Sequence, residues 1–151
     1  MAEQKASGPV EFEITGVVTQ SWDDHLHAVV VQWQGGATAH DFHSLLGAET
    51  AALKKHASCK LLTDCRLQRP LPEDAQDAAD RDWLPAAAGA GLRYFAVVLP
   101  KDREAAISLM DRLGRTSGLE VCFFESLDAA TYWLAGVDPS GSPANSPGTA
   151  G

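Results

Sequence analysis

Short apolar runs alternate along this chain with longer segments whose apolar residues recur at helical spacing. The runs lie at 26–33, 59–65, 92–99 and 119–124, and a segment of helical period follows each of them. Strands that are separated by helices pair in parallel through right-handed crossovers. The alternation therefore predicts an α/β fold built around a largely parallel sheet.

The residues before this alternation predict a hairpin. Residues 10–18 alternate apolar and polar side chains at Val10, Phe12 and Ile14, as a half-buried edge strand does. We interpret "TQSWDDH", which follows, as the turn that leads into the next strand. Because the connection is so short, the two strands must pair antiparallel. The sequence thus predicts a mixed sheet of about five strands with an antiparallel hairpin at its N-terminal edge.

Four helices are predicted between and after the strands. Thr38 and Asp41 form a capping-box pattern at the start of the first helix. Pro72 opens the second helix, which Pro85 is expected to break or kink. Ser126 is the predicted N-cap of the fourth helix. The third helix is expected to bury one apolar face, formed by Ala106, Leu109, Met110 and Leu113.

The chain is long enough for one domain with its own core, because 45% of its 151 residues are hydrophobic. We predict that residues 9–136 form this domain. Residues 1–8 are small and polar, and we expect a flexible N-terminus there. Residues 137–151 are rich in Pro, Gly and Ser and offer little to bury, so a disordered tail is predicted.

Charge and cysteine usage limit the partners and the compartment. The net charge of −8 at pH 7 argues against nucleic acid, since an acidic chain repels phosphate backbones. Cys59, Cys65 and Cys122 are odd in number and show no CxxC spacing, which fits a reducing compartment. The chain has neither a signal-peptide pattern nor an apolar run of the roughly 20 residues that span a membrane. These features predict a cytoplasmic protein without a membrane span.

Several stretches, taken in order, resemble a known family. "VVVQWQG" precedes the first helix, "LLTDCR" ends the next strand, and "DWLP" lies late in the second helix. "GLRYFAVVLP", "LEVCFF" and "DAATYWL" extend the likeness to residues 10–136. In order and spacing these stretches resemble the small bacterial proteins called STAS/SEC14-domain or SpoIIAA-like. The resemblance implies a βα superhelix that serves protein–protein regulation or has an unassigned role.

The sequence departs from STAS regulators at the position of their switch. The resemblance implies a phosphorylatable Ser or Thr at the start of the second helix, just after an Asp. Here Asp64 is followed by "CRLQRPLPED", which contains neither residue, and Thr63 falls within the strand. A Ser/Thr phosphorylation switch is therefore not expected.

Asp64, Cys65 and Arg66 are the candidate site residues, because they end a strand where open α/β sheets bind ligands. Asp64 is expected on a rim loop that Pro70 and Pro72 stiffen, facing a partner or a polar ligand. The alternative is a rim with only a local ion pair. Cys65 beside Arg66 has the setting of a nucleophile. No signature supplies a partner base, so a buried structural thiol is the alternative.

Neither a metal nor a cofactor is expected. His40 and His43 lie one helical turn apart, and His25 and His27 would share one strand face. Either pair needs a third ligand to hold a metal, which one of the nearby acids Asp23, Asp24 and Asp41 could supply. The alternative is that these are polar residues of a helix start and a hairpin turn. The glycine motifs of nucleotide-binding loops are missing from the sequence.

The sequence contains no catalytic constellation, so we do not expect an enzyme. One hypothesis is a non-catalytic cytoplasmic interaction or regulatory module of the STAS type, which binds another protein or a second copy of itself. The alternative is a protein that binds a small apolar ligand, as the SEC14 part of the family name implies. An open apolar cleft beside Asp64 would favour the ligand hypothesis.

Overall fold

The computed structural model describes residues 8–116 and 118–137. The flexible N-terminus predicted for 1–8 and the tail predicted for 137–151 lie almost wholly outside the described residues, and both stay predictions. Val137 is described, and its side chain packs against an apolar cluster of the core.

One mixed sheet of six strands forms the centre of the fold. The strands are β1 (Val10–Ile14), β2 (Val18–Asp23), β3 (Ala28–Trp33), β4 (Lys60–Asp64), β5 (Tyr94–Val98) and β6 (Glu120–Phe124). They lie side by side in chain order. β1 to β3 pair antiparallel, whereas β3 to β6 pair in parallel. The predicted α/β class with a mixed sheet is confirmed.

The strand count differs from the prediction because the segment interpreted as a turn is mostly strand β2. Gly16, with φ +78°, reverses the chain earlier than expected. Val18, Gln20 and Trp22 then share one face of the sheet, and all three are buried. The amide nitrogen of Gln20 donates to the carbonyl of Ala48 at 3.2 Å, so this polar side chain has a partner in the core. The predicted hairpin is therefore a meander of three strands.

Five α-helices in the described part of the chain pack on the sheet, and two predicted helix caps are confirmed. The helices are α1 (Ala39–His56), α2 (Glu73–Ala78), α3 (Leu84–Gly89), α4 (Arg103–Leu113) and α5 (Leu127–Gly136). Two of them, α2 and α3, form one continuous helical unit. The hydroxyl of Thr38 accepts from the Asp41 amide at 3.0 Å, and the Asp41 carboxylate accepts from the Thr38 amide at 3.3 Å. The hydroxyl of Ser126 accepts from the Ala129 amide at 3.1 Å.

A π-helical turn, Ala79–Trp83, joins α2 to α3, so the second helical unit is continuous. In this turn the Leu84 amide donates to the Ala79 carbonyl, five residues back. Pro85 lies inside the unit and does not break it. A proline ring crowds the carbonyl four residues earlier and supplies no N–H. The structure meets that constraint by widening the preceding turn.

Two apolar clusters lie on opposite faces of the sheet. α1, α3, α4 and the π turn cover the first face, where Leu53, Leu61 and Val97 are fully buried. α5 covers the second face through Ala130 and Leu134. Strands β4 and β5 are thus buried on both sides, as their uninterrupted apolar runs predict.

The buried face of α4 is narrower than predicted. Leu113 is buried and Leu109 is partly buried against the first cluster. Met110 is 37% exposed, and its neighbour Ile107 is also exposed. The apolar side chains of α4 therefore lie on two faces of the helix, one packed against the core and one exposed to solvent.

Candidate functional site

The three predicted site residues lie together at the carboxyl edge of β4, but their side chains diverge. Asp64 is the last residue of β4 and pairs with Val98 of β5 on one side and Gln32 of β3 on the other. Successive side chains of a strand point to opposite faces. Asp64 accordingly lies on the face covered by α5, and Cys65 belongs to the apolar cluster of the opposite face.

Asp64 and Arg66 form a close two-point ion pair. The Arg66 Nε donates to Oδ1 of Asp64 at 2.9 Å, and its Nη2 donates to Oδ2 at 2.7 Å. The Arg66 amide adds a third hydrogen bond to Oδ1 at 3.2 Å. The carboxylate is nearly buried, with 7% of its side chain exposed, against 30% for Arg66. The structure thus shows the local ion pair that the sequence analysis gave as the alternative. The side chain of Asp64 does not project freely from the rim of the sheet.

Cys65 does not have the setting of a nucleophile. Its side chain is buried, and its sulfur lies 3.8 Å from the Thr63 hydroxyl. Burial raises the pKa of the Cys65 thiol to about 12, against a smaller lowering by the hydrogen bond with Thr63, and the charges of Asp64 and Glu49 raise it further. The thiol is therefore protonated at neutral pH and acts as an apolar side chain of the core.

A groove opens beside Arg66, between the loop after β5 and helix α4. Its volume is about 480 Å³. Lys101, Arg103 and Glu125 contribute charge to its walls, and Pro100, Ile107 and Met110 contribute apolar surface. The groove is thus a mixed, partly basic surface and not the apolar cleft that would favour ligand binding beside Asp64.

Comparison with known proteins identifies this architecture. No family model matches the sequence, and no curated protein does. The crystal structure of an anti-sigma factor antagonist from Mycobacterium paratuberculosis matches with a TM-score of 0.53 at 16% identity, over 82% of this chain and 98% of that one. An uncharacterized DUF3478-family protein with a SpoIIAA-like fold, from Shewanella loihica PV-4, matches with a TM-score of 0.52 at 22% identity, over 89% of this chain and 98% of that one. The chain has a SpoIIAA-like fold.

The SpoIIAA-like fold is what these likenesses establish, since sequence identities this low say nothing about activity. The resemblance drawn from the sequence is confirmed at that level. None of the helices in the described part of this SpoIIAA-like chain has the length and apolarity needed to cross a membrane.

The loop that follows β4 in this SpoIIAA-like domain is tied to its neighbours by backbone hydrogen bonds. The Arg69 amide donates to Gly35 at 3.3 Å, and the Lys101 amide donates to Arg66 at 3.3 Å. Residues 65–72 contain no Ser or Thr. Thr63, the nearest hydroxyl residue, lies in β4, as the sequence predicts, and the structure shows that it is buried.

The histidines do not form a metal site among the residues that the structure describes, which contain no group of three or more metal-ligating side chains. His25, His40 and His43 are exposed. His27 adopts a positive φ of 57° in the turn between β2 and β3 and packs edge-on against Trp22.

Sequence reasoning missed a polar cluster at the opposite, amino edge of the sheet. The His56 ring stacks on Trp22, with ring centres 3.8 Å apart. Its Nε2 lies 3.0 Å from the carboxylate of Glu11, and Lys55 lies 3.3 Å from the same carboxylate. Burial raises the pKa of Glu11, but the hydrogen bonds from His56 and Lys55 outweigh it, so the pKa is lowered. These contacts fasten β1 to the end of α1.

Sequence reasoning also missed a buried carboxyl group, Glu49 on α1. The side chain is buried under the helical layer of the SpoIIAA-like fold. Burial raises the pKa of Glu49 to about 8, and no other cause contributes. A signal was present in the sequence, because Glu49 falls four residues after Leu45 and four before Leu53, both on the apolar stripe of α1.

Proposed function

We propose that this chain is a non-catalytic protein-interaction module that binds its partner at the carboxyl edge of the sheet. The binding surface consists of Arg66, Leu67, Lys101, Arg103, Ile107 and Met110, here called the carboxyl-edge surface. The observation that carries the proposal is the exposure of three large apolar side chains on it: Leu67 at 58%, Ile107 at 54% and Met110 at 37%.

The chemistry of this surface defines the partner. Ile107 and Met110 line the same groove, and Leu67 follows Arg66 of its wall. Exposed apolar side chains that share a surface are typical of protein interfaces. Lys101 and Arg103 are exposed around them, although the chain as a whole carries a net charge of −8. The walls of the groove carry three cationic side chains and one acid, Glu125, and such an excess of cations attracts acidic segments and sets their orientation. The partner that fits is a protein segment with apolar side chains flanked by Asp or Glu.

The buried groups near this edge support a binding role over a catalytic one. The Asp64 carboxylate is held by Arg66, and the Cys65 thiol is buried with a raised pKa. A carboxylate that is already paired and a protonated thiol are poor bases and nucleophiles. Asp64 acts by holding Arg66 at the edge of the groove.

The SpoIIAA-like neighbour that is an anti-sigma factor antagonist supports a regulatory role of this kind. In this chain the loop after β4 offers no Ser or Thr. Binding at the carboxyl-edge surface is therefore proposed to work without a phosphorylation switch in that loop. Cys59 and Cys65 are buried, and the cysteines in the described part of the chain form no disulfide, which supports a reducing, cytoplasmic location.

A second candidate function, binding of a small apolar ligand, is supported by a different cavity. A cleft of about 700 Å³ lies between α1 and the second helical unit. Ala39, Phe42, Leu46, Ala75, Ala79 and Trp83 are among its walls. Its volume falls within the range of small-molecule sites.

Capture of a partner tests the protein-interaction proposal. Immobilised wild-type chain is expected to retain a specific protein from native lysate, and Ile107→Asp combined with Lys101→Glu is expected to lose it. Tyr132→Asp is the matched control, because Tyr132 is 84% exposed on α5, the helix of the opposite face. If the wild type, the double variant and Tyr132→Asp all retained the same protein equally well, the carboxyl-edge surface would be ruled out as the binding site. A dimer of the wild-type chain that the double variant abolishes would identify the partner as a second copy.

A further inference from the structure

The cleft between α1 and the second helical unit adjoins a smaller cavity, here called the inner cavity. This inner cavity has a volume of about 80 Å³. Phe42, Leu46, Ala79 and Trp83 line both the cleft and the inner cavity. Glu49 and Thr63 line the inner cavity and not the cleft. The two cavities therefore share one wall, and the buried carboxyl group of Glu49 belongs to the smaller of them.

Two polar groups of the inner cavity have no partner among the described residues. The indole nitrogen of Trp83 is buried and makes no hydrogen bond. Glu49 is 4% exposed. Burial is the cause that raises the pKa of Glu49. No hydrogen bond or cation in the described chain offsets the cost of burying its carboxylate. Buried polar groups normally have partners, and a buried donor without one, in a cavity that a buried carboxyl group also lines, is a reason to look for a ligand.

The π turn is what brings Trp83 to this place. Trp83 is the last residue of the turn Ala79–Trp83. A π turn adds a residue to the helix, and each residue rotates the following side chains by about 100°. With regular α-helical winding, Trp83 would point elsewhere. Single π turns occur frequently at functional sites.

The polarity of the two groups defines the head of the ligand. The Trp83 indole can only donate a hydrogen bond. The Glu49 carboxyl is protonated at neutral pH because burial raises its pKa to about 8, so it also has a hydrogen to donate. Both residues line the inner cavity, and two donors in one cavity fit an acceptor such as a carbonyl oxygen. A cationic amine would instead meet the Trp83 N–H, and an anionic head would lie beside a buried acid. The charged residues that also line the cavity, Asp80 and Arg112, are paired with each other at 2.9 Å.

We infer that this cavity binds a small neutral molecule with an apolar chain and one carbonyl head, such as a ketone or an ester. The carbonyl oxygen accepts hydrogen bonds from Trp83 Nε1 and from the Glu49 carboxyl. The apolar chain lies in the cleft between α1 and the second helical unit. The inference rests on the second candidate function and is independent of the carboxyl-edge surface.

Three probes of equal chain length, 2-octanone, octane and octylamine, test the inference on the full chain. Two-dimensional NMR of the ¹⁵N-labelled protein follows the indole N–H signals, and Trp83→Phe identifies the signal of Trp83. We expect 2-octanone to shift that signal downfield in a saturable way, and the other probes to leave it in place. If Trp83→Phe does not fold, Trp22→Phe, Trp33→Phe and Trp133→Phe identify the signal by elimination.

The possible outcomes distinguish whether the cavity binds a ligand at all from whether it recognises a carbonyl head group. No saturable shift with any probe would overturn both the inference and the small-ligand function. Equal binding of octane would leave the small-ligand function standing and overturn the carbonyl head. Tighter binding of octylamine would show that Glu49 ionises for a cation, which also overturns the neutral head.

Variants at Glu49 give an independent readout of the same site. Glu49→Leu removes the donor and is expected to weaken 2-octanone binding about tenfold, the effect of one ordinary hydrogen bond. Glu49→Gln keeps an N–H donor and is expected to bind almost as well as wild type. Trp133→Phe, on the opposite face near Tyr94 and Phe124, is the control. Unchanged affinity of Glu49→Leu would exclude Glu49 from the site.

Discussion

Two buried carboxyl groups of this chain have opposite chemistry, and their surroundings explain the difference. Asp64 accepts three hydrogen bonds from Arg66, so its carboxylate lies against a cation. Glu49 has only burial, which stabilises its neutral form. Residue type does not distinguish the two. Position relative to a cation does, and each position leads to a prediction.

Asp64→Asn is expected to fold but to lose about 1–3 kcal/mol of unfolding free energy, because a buried charged acceptor loses its hydrogen bonds to Arg66. Urea denaturation measures the change. Asp82→Asn is the control, since its ion pair with Arg81 is about two-thirds exposed and should contribute little. Equal effects of both changes would show that the Asp64–Arg66 pair adds nothing to stability.

The pH dependence of stability is expected to carry the signature of Glu49. The folded chain holds the proton of Glu49 up to about pH 8, against an ordinary value of 4.5. The stability that Glu49 contributes through its raised pKa is therefore complete below pH 4.5. As the pH rises toward 8, the free energy of unfolding falls by at most about 1.4 kcal/mol per pH unit. Glu49→Gln should remove this slope, and Glu13→Gln, an exposed control, should keep it. A wild-type curve as flat as that of Glu49→Gln would contradict the raised pKa.

At the scale of elements, turns decide where strands and helices begin and end. Gly16 reverses the chain with a φ of +78°, which only glycine adopts without strain, and β2 begins two residues later. The π turn likewise changes the winding of the second helical unit, and with it the direction of the Trp83 side chain. In both places a change of backbone winding sets which side chains reach the core.

Gly16→Ala is therefore expected to lower the unfolding free energy by about 1–2 kcal/mol, since a β-carbon is strained at positive φ. The added atom would meet nothing within 4 Å, so strain and not a clash is the cause. Gly47→Ala, also in open space but inside α1, should raise the unfolding free energy by about 0.5–1 kcal/mol. Chemical denaturation of both variants measures the pair, and a stabilised Gly16→Ala would contradict the assigned turn.

At the scale of the whole molecule, the central strands connect two cores. Val97 faces the cluster under α1, α3 and α4, and its neighbours Ala96 and Val98 face the cluster under α5. Loss of either cluster would expose the parallel strands that carry the carboxyl edge. Both candidate functions depend on this shared support.

Val97→Asp is expected to prevent folding, because Val97 is fully buried and an unpaired charge there has no solvent and no partner. Circular dichroism and thermal melting test this. Ile107→Asp is the control on an exposed apolar position of α4 and should melt cooperatively near the wild-type midpoint. A cooperatively folded Val97→Asp would contradict the buried position of β5.

The sequence alone determined what depends on near neighbours in the chain. Apolar runs and helical periods predicted the α/β class, and the caps at Thr38, Asp41 and Ser126 mark helix starts as expected, since each cap bonds within one turn. The sequence also placed Asp64, Cys65 and Arg66 at one strand end. Those features need no knowledge of what packs against them.

Only the tertiary structure decided which of these residues are buried, and beside what. β2 was missed because Gln20 looks like a turn residue until Ala48 of α1 supplies its acceptor. Cys65 became a core thiol because the pleat turns it away from Asp64 and toward the first apolar cluster. Glu49 acquired its raised pKa because the helical layer closes over it. Burial and charge pairing come from residues distant in the chain, which local patterns do not specify.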